Sequence, residues 1–111
     1  MLSFWDEKWK PCPEFEWGYW VSDFGRVRGP KKMLSIQLNN KGYQYVTLYK
    51  KRSVAQHRRL ISRLVAMAFI GLPPSSDSEV HHKDGNPMNN HIDNLEWVSP
   101  HLHSRAGVRT D

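Results

Sequence analysis

The chain has 111 residues, 39% of them apolar, and a formal net charge of +5 at neutral pH, which suits one domain or two small modules sharing a core. Its lone cysteine, Cys12, excludes an intramolecular disulfide and any zinc site built from several cysteines. The longest apolar run, residues 64–72, is too short to cross a membrane and the N-terminus lacks a signal-peptide pattern, so we expect a cytoplasmic protein without a membrane partner.

The first half of the chain predicts an antiparallel β module behind an irregular arm. Residues 1–18 lack periodicity, and their aromatic side chains would be costly to leave in water, so we expect an ordered arm that wraps the domain. The predicted strands are residues 19–22, 26–28, 33–38, 43–49 and 53–55. Residues 39–42 form the predicted hairpin turn, and in the strand after it Gln44 shares a face with Val46 and Leu48, opposite the tyrosines.

The second half predicts a helix followed by a strand, a loop, a second strand and a short helix. Apolar residues recur at three- and four-residue spacing over residues 58–70, and a glycine followed by two prolines ends that helix. Residues 79–82 and 95–98 are predicted strands on either side of a loop rich in turn-forming residues. Ser99 suits the N-cap of a final helix over residues 100–107.

The charged residues are distributed unevenly. Residues 24–76 contain eleven Lys and Arg and no Asp or Glu, whereas the rest of the chain has five basic and eleven acidic residues. Such a basic block is typical of proteins that bind a polyanion, so nucleic acid is the favoured partner over a merely solubilising surface. For Arg26 and Arg28, pairing with the acidic N-terminal arm is the alternative to phosphate contact. The candidate DNA-binding residues are Arg26, Arg28, Lys50, Lys51, Arg52, Arg58 and Arg59.

Five of the six histidines lie at positions 81, 82, 91, 101 and 103. Neighbouring residues on a strand point to opposite faces, so His81 and His82 cannot easily bind one metal ion together. One of them can bind the ion while the other acts as a base on a water molecule, and the final helix can return His103 to the same ion. The pattern therefore predicts one metal ion, one general base and a phosphodiester substrate.

The segment from Val80 to Pro100 resembles the ββα-metal motif of HNH nucleases, in the subgroup common among phage and intron-encoded homing endonucleases. Its matching residues are Val80, His82, Asp84, Gly85, Asn86, Asn89, Asn90, Asn94, Leu95, Glu96, Trp97, Val98, Ser99 and Pro100. The upstream residues that resemble the N-terminal β module and central helix of this subgroup are Trp9, Lys10, Tyr19, Val21, Ser22 and residues 24–28, 63–66 and 68–70. The resemblance covers residues 9–105.

The resemblance implies an α+β fold with an N-terminal antiparallel β module, a central helix and a C-terminal ββα-metal motif. Residues 1–57 would then form the arm and the DNA-contacting β module, and residues 58–111 the helix and nuclease motif. It also implies metal-dependent hydrolysis of phosphodiester bonds in double-stranded DNA, by nicking or double-strand cleavage. Such a protein would be encoded by a phage or mobile element and, if by a phage, would act in the bacterial host cytoplasm.

Residue by residue, the resemblance assigns His82 as the general base and Asn94 as the asparagine that ties the loop across the motif. Residues 81 and 103 correspond to the two metal ligands. Both are histidines here, whereas the subgroup usually has Asp or Asn at the first position and Asn at the second. Imidazole ligands shift the preference towards Zn²⁺, Mn²⁺, Ni²⁺ or Co²⁺, whereas Mg²⁺ favours oxygen ligands, so the identity of the one divalent ion stays open.

Several alternatives stay open. A structural zinc site could use His81, His82 and His103 with a fourth ligand nearby. Asp84 could support the metal indirectly or only stabilise the loop, and His91 could lie near a phosphate or serve the loop alone. The competing functions are a non-catalytic DNA-binding protein and a phage packaging accessory that acts with terminase. Because one site per chain yields nicks, double-strand cleavage would need a homodimer or two binding events.

Overall fold

The computed structural model describes residues 6–100, which form an α+β fold built from antiparallel sheets and a helix. The elements are β1 Trp9–Pro11, β2 Trp20–Ser22, β3 Val27–Arg28, β4 Gln37–Leu38, β5 Gln44–Tyr49, β6 Gln56–Leu60, α1 Ile61–Phe69, β7 Glu79–His82 and β8 Leu95–Val98. A turn of 3-10 helix at Ile92–Asn94 leads into β8. No helix within residues 6–100 is long and apolar enough to cross a membrane.

The strands form three antiparallel sheets in the orders β1-β2-β3, β4-β5-β6 and β7-β8. The alternation predicted for β5 is confirmed, because Val46 and Leu48 are fully buried whereas the tyrosines of that strand are half-buried. In β6, Arg59 lies opposite Val46 and Arg58 lies opposite Thr47. Consecutive arginines of this strand therefore point to different faces of the sheet.

Four local predictions are wrong, and in each the tertiary pairing decides the structure. The strand predicted over residues 33–38 is limited to β4, and Met33 forms only an isolated bridge with Arg28. The sequence predicts an irregular arm that includes residues 9–11, but these residues form β1 along β2. The strand expected at 53–55 lies instead at β6, whose five residues pair with β5. Because residues 58–60 belong to this ladder, the helix begins at Ile61 and not at residue 58. The predicted final helix over residues 100–107 lies almost wholly outside the described residues.

One hydrophobic cluster joins the two halves of the chain. It includes Phe15, Val21 and Leu48 from the first half and Leu64 and Leu95 from the second, each at most 2% exposed. The boundary predicted between residues 57 and 58 falls inside β6. Helix α1 lies at the centre of this cluster and contacts strands from all three sheets. The shared core fixes the β7-β8 hairpin against the N-terminal sheets, and this contact shapes the site described next.

Candidate active site

The β7-β8 hairpin places the two adjacent histidines on opposite faces. His82 pairs in register with Leu95, and both are buried, with 7% and 2% of their surface exposed. His81 is only half-buried and lies opposite Glu96, an exposed residue. Cross-strand partners share a face and neighbours along a strand do not. His82 therefore faces the core side of the hairpin and His81 the outer side, which suits them to different tasks.

The loop between the two strands is closed by the amide of Asn94. This buried side chain donates from Nδ2 to Asp84 Oδ1 at 2.9 Å and to the Asn89 carbonyl at 2.8 Å. Its Oδ1 accepts from the Asp84 backbone N–H at 3.0 Å. Lys83 N also donates to the Asn94 carbonyl at 2.8 Å. Asn94 thus links both ends of the loop, and the link holds the residues after His82 in place.

The Asp84 carboxylate is engaged within the same loop. Besides Asn94, its oxygens accept from the Asn86 backbone N–H at 2.8 Å and from Asn89 Nδ2 at 2.9 Å. These hydrogen bonds, that of Asn89 first among them, hold the pKa of the Asp84 carboxyl below its usual value. Hydrogen bonds to the ionised form stabilise it relative to the protonated form. Asp84 supports the loop directly, whereas a role near a metal ion stays a prediction.

The His82 ring is held from one side by a second asparagine. Its Nε2 lies 2.8 Å from Asn90 Oδ1, and Asn90 Nδ2 donates to Gln44 Oε1 at 2.9 Å. Asn90 is only 4% exposed. The ring of Tyr43 is tilted towards the His82 ring, with the centroids 6.0 Å apart. The candidate base is therefore contacted by Asn90 of its own loop and by Tyr43, which directly precedes β5, and Gln44 of β5 supports Asn90.

Sequence reasoning missed the parts that Asn90 and Gln44 play. Asn90 lies in an asparagine-rich loop, and the sequence does not distinguish an amide that stabilises a turn from one that binds the histidine. Gln44 carried a usable signal, since the predicted alternation put this amide on the same face as Val46 and Leu48. Buried polar groups are almost always hydrogen-bonded, so a glutamine on a core-facing stripe needs a partner. The partner lies 46 residues away in the chain, and no local pattern identifies it.

His91 is fixed by its own loop and by the turn after β2. Its Nδ1 accepts from the Asp93 backbone N–H at 3.1 Å at the start of the 3-10 turn. Its ring packs edge-on against Phe24, with centroids 4.6 Å apart. These contacts give His91 a role in loop geometry. The role near a phosphate remains a prediction.

Two candidate DNA-binding arginines have carboxylate partners. Arg26 forms a two-point ion pair with Glu7, which is the alternative that the sequence left open. Hydrogen bonding between them lowers the pKa of Glu7 and raises that of Arg26. Arg59 lies 3.2 Å from a carboxylate oxygen of Glu14 and stacks over the Phe15 ring. Both positive charges are partly compensated within the protein, so they have less charge to offer a phosphate.

The other five candidates are exposed. Lys50 donates to the Glu14 carbonyl at 3.0 Å and lies over the Phe15 ring, and Arg58 lies over the Tyr45 ring with 5.3 Å between guanidinium and centroid. The exposed candidates are Arg28, Lys50, Lys51, Arg52 and Arg58. We call Lys50, Lys51 and Arg52 the basic turn, because they follow β5 directly. Nothing in these contacts neutralises the charge of the cations, so they are suited to phosphate contact.

Of the two predicted metal ligands, His81 lies within residues 6–100. Within residues 6–100 no group of three or more His, Cys, Asp or Glu could hold a metal ion, and His101 and His103 lie outside the described residues. His81 lies opposite Glu96 in the hairpin register, and its imidazole suits a borderline divalent ion. A structural zinc site shared by His81 and His82 is disfavoured, because the two face apart and His82 Nε2 is bonded to Asn90.

Known proteins share both halves of this chain. Residues 7–49 match the model of the NUMOD4 motif, and residues 59–105 match the model of an HNH endonuclease. The chain is 39% identical over 103 residues to H-N-H endonuclease F-TflII of Escherichia phage T5, covering 87% of this chain and 50% of that protein. It is 35% identical over 94 residues to DNA endonuclease I-HmuI of Bacillus phage SP01, covering 83% of this chain and 52% of that protein.

The fold is also found in a solved structure. The structure of the HNH homing endonuclease I-HmuI, described as showing DNA binding and cleavage, matches with a TM-score of 0.79 and 33% identity. The match covers 92% of this chain and 59% of that chain. This chain spans between about a quarter and half of the length of the curated relatives that it matches.

Proposed function

The chain belongs to the HNH endonuclease family, and from this premise we propose that it hydrolyses phosphodiester bonds of double-stranded DNA with His82 as the general base. The observation that carries the proposal is the environment of His82. Its ring is buried at the end of β7 and bonded through Nε2 to Asn90. A base fixed in this way can be presented to a water molecule in one orientation, which a solvated surface histidine cannot match.

In the proposed reaction, His82 removes a proton from a water molecule as the water oxygen attacks phosphorus. The bond from phosphorus to the 3′ oxygen breaks opposite the attacking oxygen. The leaving 3′ oxygen takes a proton from solvent, and His82 later releases its proton to solvent. The products are a 5′-phosphate and a 3′-hydroxyl. Since Asn90 Oδ1 lies against Nε2, the ring nitrogen that accepts the proton is Nδ1. Asn94 contributes by closing the loop through its bonds to Asp84 and Asn89.

The metal ion would be held by His81 and His103. When bound, a divalent cation there supplies charge neutralisation at a phosphate oxygen and at the leaving 3′ oxygen. His81 faces away from His82 across the β7 backbone, so the two rings can act on different sides of a phosphate. Imidazole ligands favour Zn²⁺, Mn²⁺, Ni²⁺ or Co²⁺ over Mg²⁺.

The DNA backbone would be held mainly by the exposed cations. The basic turn, Arg28 and Arg58 carry charges without a carboxylate partner in the contacts described above, whereas Arg26 and Arg59 would contribute less. Binding that depends on phosphate contacts weakens steeply as salt is added. One site per chain suits nicking, and double-strand cuts would need a homodimer or successive binding events. The phage relatives support a phage or mobile-element origin.

Conversion of supercoiled plasmid to open circles in a panel of divalent metals tests this function. We expect cleavage by the unmodified chain with at least one metal and cleavage at least about 100-fold slower by His82→Ala. The control His57→Gln, at a histidine whose ring packs on Phe15, should cleave normally. Full activity of His82→Ala would remove His82 as the base. DNA binding without cleavage in any metal would favour the non-catalytic alternative.

A further inference from the structure

We propose that Asn90 and Gln44 are positioning residues that hold the His82 ring as the tautomer with its proton on Nε2. The inference rests on the proposed function, in which the unprotonated Nδ1 is the basic atom. It assigns part of the site to β5, in the segment that matches the NUMOD4 motif, and not to the nuclease motif alone. The N-terminal module would then set the state of the base besides contacting DNA.

The first support is a directional chain of hydrogen bonds. Gln44 Oε1 can only accept, so it requires the Nδ2 end of Asn90, which lies 2.9 Å away. That orientation turns Asn90 Oδ1 towards His82 Nε2 at 2.8 Å. An amide oxygen also only accepts, so Nε2 must carry the hydrogen and Nδ1 keeps the lone pair. The bond to Gln44 fixes the orientation of the Asn90 amide, and this orientation fixes which nitrogen of His82 carries the hydrogen.

The second support is the tight enclosure of Asn90. Gly25 has a φ of +91°, and a Cβ built there would lie 2.9 Å from Asn90 Cβ and 3.4 Å from its carbonyl oxygen. Beside this contact, Ile92 N donates to the Asp23 carbonyl at 2.9 Å. The turn after β2 therefore packs directly on Asn90. A side chain that is 4% exposed and clamped by backbone has little freedom to turn its amide over.

The two asparagines of the loop have separate tasks. The Asn94 amide bonds to Asp84 and to the Asn89 carbonyl, which holds the loop closed. The Asn90 amide bonds to the ring of His82 and to β5. Loss of Asn94 should therefore loosen the loop, whereas loss of Asn90 should release the ring. In hydrolytic enzymes, loss of the group that fixes the tautomer of a catalytic histidine lowers turnover with the geometry otherwise intact.

The kinetic test compares variants that remove or keep the hydrogen bonds of Asn90 and Gln44. Asn90→Leu should lower kcat roughly 10- to 100-fold, the usual effect of removing a group that orients a site histidine, with the KM for DNA little changed. Gln44→Leu should lower kcat by a smaller factor. Gln44→Glu should restore most of the kcat that Gln44→Leu loses, because a carboxylate still accepts from Asn90 Nδ2. Gln37→Leu, an exposed glutamine of β4, is the matched control and should behave as the unmodified chain.

A spectroscopic readout separates this inference from the proposed function. Long-range nitrogen–proton NMR correlations of the ¹⁵N-histidine-labelled chain, at a pH where imidazole is neutral, report which nitrogen of His82 carries the proton. We expect Nε2–H in the unmodified chain and a mixture of tautomers in Gln44→Leu. This result is independent of cleavage, so it holds or fails even if the chain cuts no DNA.

Two outcomes would overturn the inference. One is a proton on Nδ1 in the unmodified chain, as expected if both amides were turned over. The other is unchanged kcat and tautomer in both Gln44→Leu and Asn90→Leu, with His82→Ala inactive, which would leave the nuclease proposal standing. If Asn90→Leu does not fold, the comparison of Gln44→Leu with Gln44→Glu still tests the inference. Both changes are made at Gln44, which bonds to Asn90 and leaves Asn90 itself in place.

Discussion

His82 and the basic turn lie in opposite surroundings. His82 is 7% exposed and its ring nitrogen is fixed by a buried asparagine. Lys51 and Arg52 are exposed in the turn after β5. A base must be aligned with its water molecule to be effective, whereas phosphate contacts depend chiefly on the number of charges. The comparison teaches that rate and affinity depend on different parts of this fold, and substitutions should separate them.

The largest expected effect among the loop residues follows from Asn94→Leu. This change removes three hydrogen bonds and leaves the Asp84 N–H and the Asn89 carbonyl without their partner. Unsatisfied polar groups cost about 1–3 kcal/mol each, so we expect the free energy of unfolding to fall by about 2 kcal/mol or more and cleavage to be strongly reduced. Urea denaturation measures the first quantity and plasmid nicking the second.

The matched control for Asn94 is Asn86→Ala in the same loop. The exposed side chain of Asn86 accepts one hydrogen bond, from the Met88 N–H, so its removal should cost about 1 kcal/mol or less. Equal destabilisation by the two variants would mean that Asn94 does not close the loop in the way that its hydrogen bonds indicate.

Gly25→Ala tests whether backbone packing holds the site. Both Gly25 and Gly42 have positive φ angles, +91° and +86°, so alanine at either position should cost about 1–2 kcal/mol of conformational energy. Only at Gly25 does the added Cβ meet Asn90, whereas at Gly42 it meets nothing within 4 Å. We expect Gly25→Ala to lower kcat and stability and Gly42→Ala to lower stability alone. A normal kcat for Gly25→Ala would contradict the packing role.

On the other side of the comparison, removal of charge from the basic turn should weaken DNA binding without changing turnover. The double variant Lys51→Ala with Arg52→Asn suits this purpose, because Arg52 has a φ of +62°, which asparagine tolerates. If both charges contact phosphates, the slope of log affinity against log salt should fall by about 1.8. Lys31→Ala with Lys32→Ala removes the same charge elsewhere, and an equal loss of slope there would show a non-specific effect.

The smallest expected effect concerns acid stability. The pKa of Asp84 is lowered by its hydrogen bonds, chiefly that of Asn89. The ionised carboxylate therefore stabilises the folded chain above the unfolded pKa of about 3.9, and this contribution is lost as pH falls through the lower folded pKa. In Asp84→Asn the destabilisation should be present at neutral pH and shrink below that range. Denaturation midpoints across pH measure it, and a constant difference would refute the assignment.

The sequence could predict much of the hairpin that carries the site. Period-two alternation correctly separated His81 from His82, and turn-forming residues correctly bounded the loop before β8. These features are local, so the chain reveals them directly. The final helix and the second metal ligand, His103, stay predictions because they lie outside residues 6–100.

What the sequence could not show depends on distant pairing. Strand β6 reads as the start of a helix until its ladder with β5 is known. The ion pair of Arg26 with Glu7 joins residues 19 positions apart, so a local basic block overstates the charge available to DNA. The contact of Gln44 with Asn90 spans 46 positions. Only the tertiary fold brings these pairs together. The contact of Gln44 with Asn90 is the one that helps to fix the His82 ring.

The most direct measurement is single-turnover cleavage at saturating DNA and metal, with the dissociation constant for DNA measured on the same protein. For His82→Ala we expect the rate to fall by roughly 10²- to 10⁴-fold, as for other general bases, with the dissociation constant unchanged. For Lys51→Ala with Arg52→Asn we expect the reverse: weaker binding and a normal rate at saturation. A normal single-turnover rate in His82→Ala would contradict the central claim.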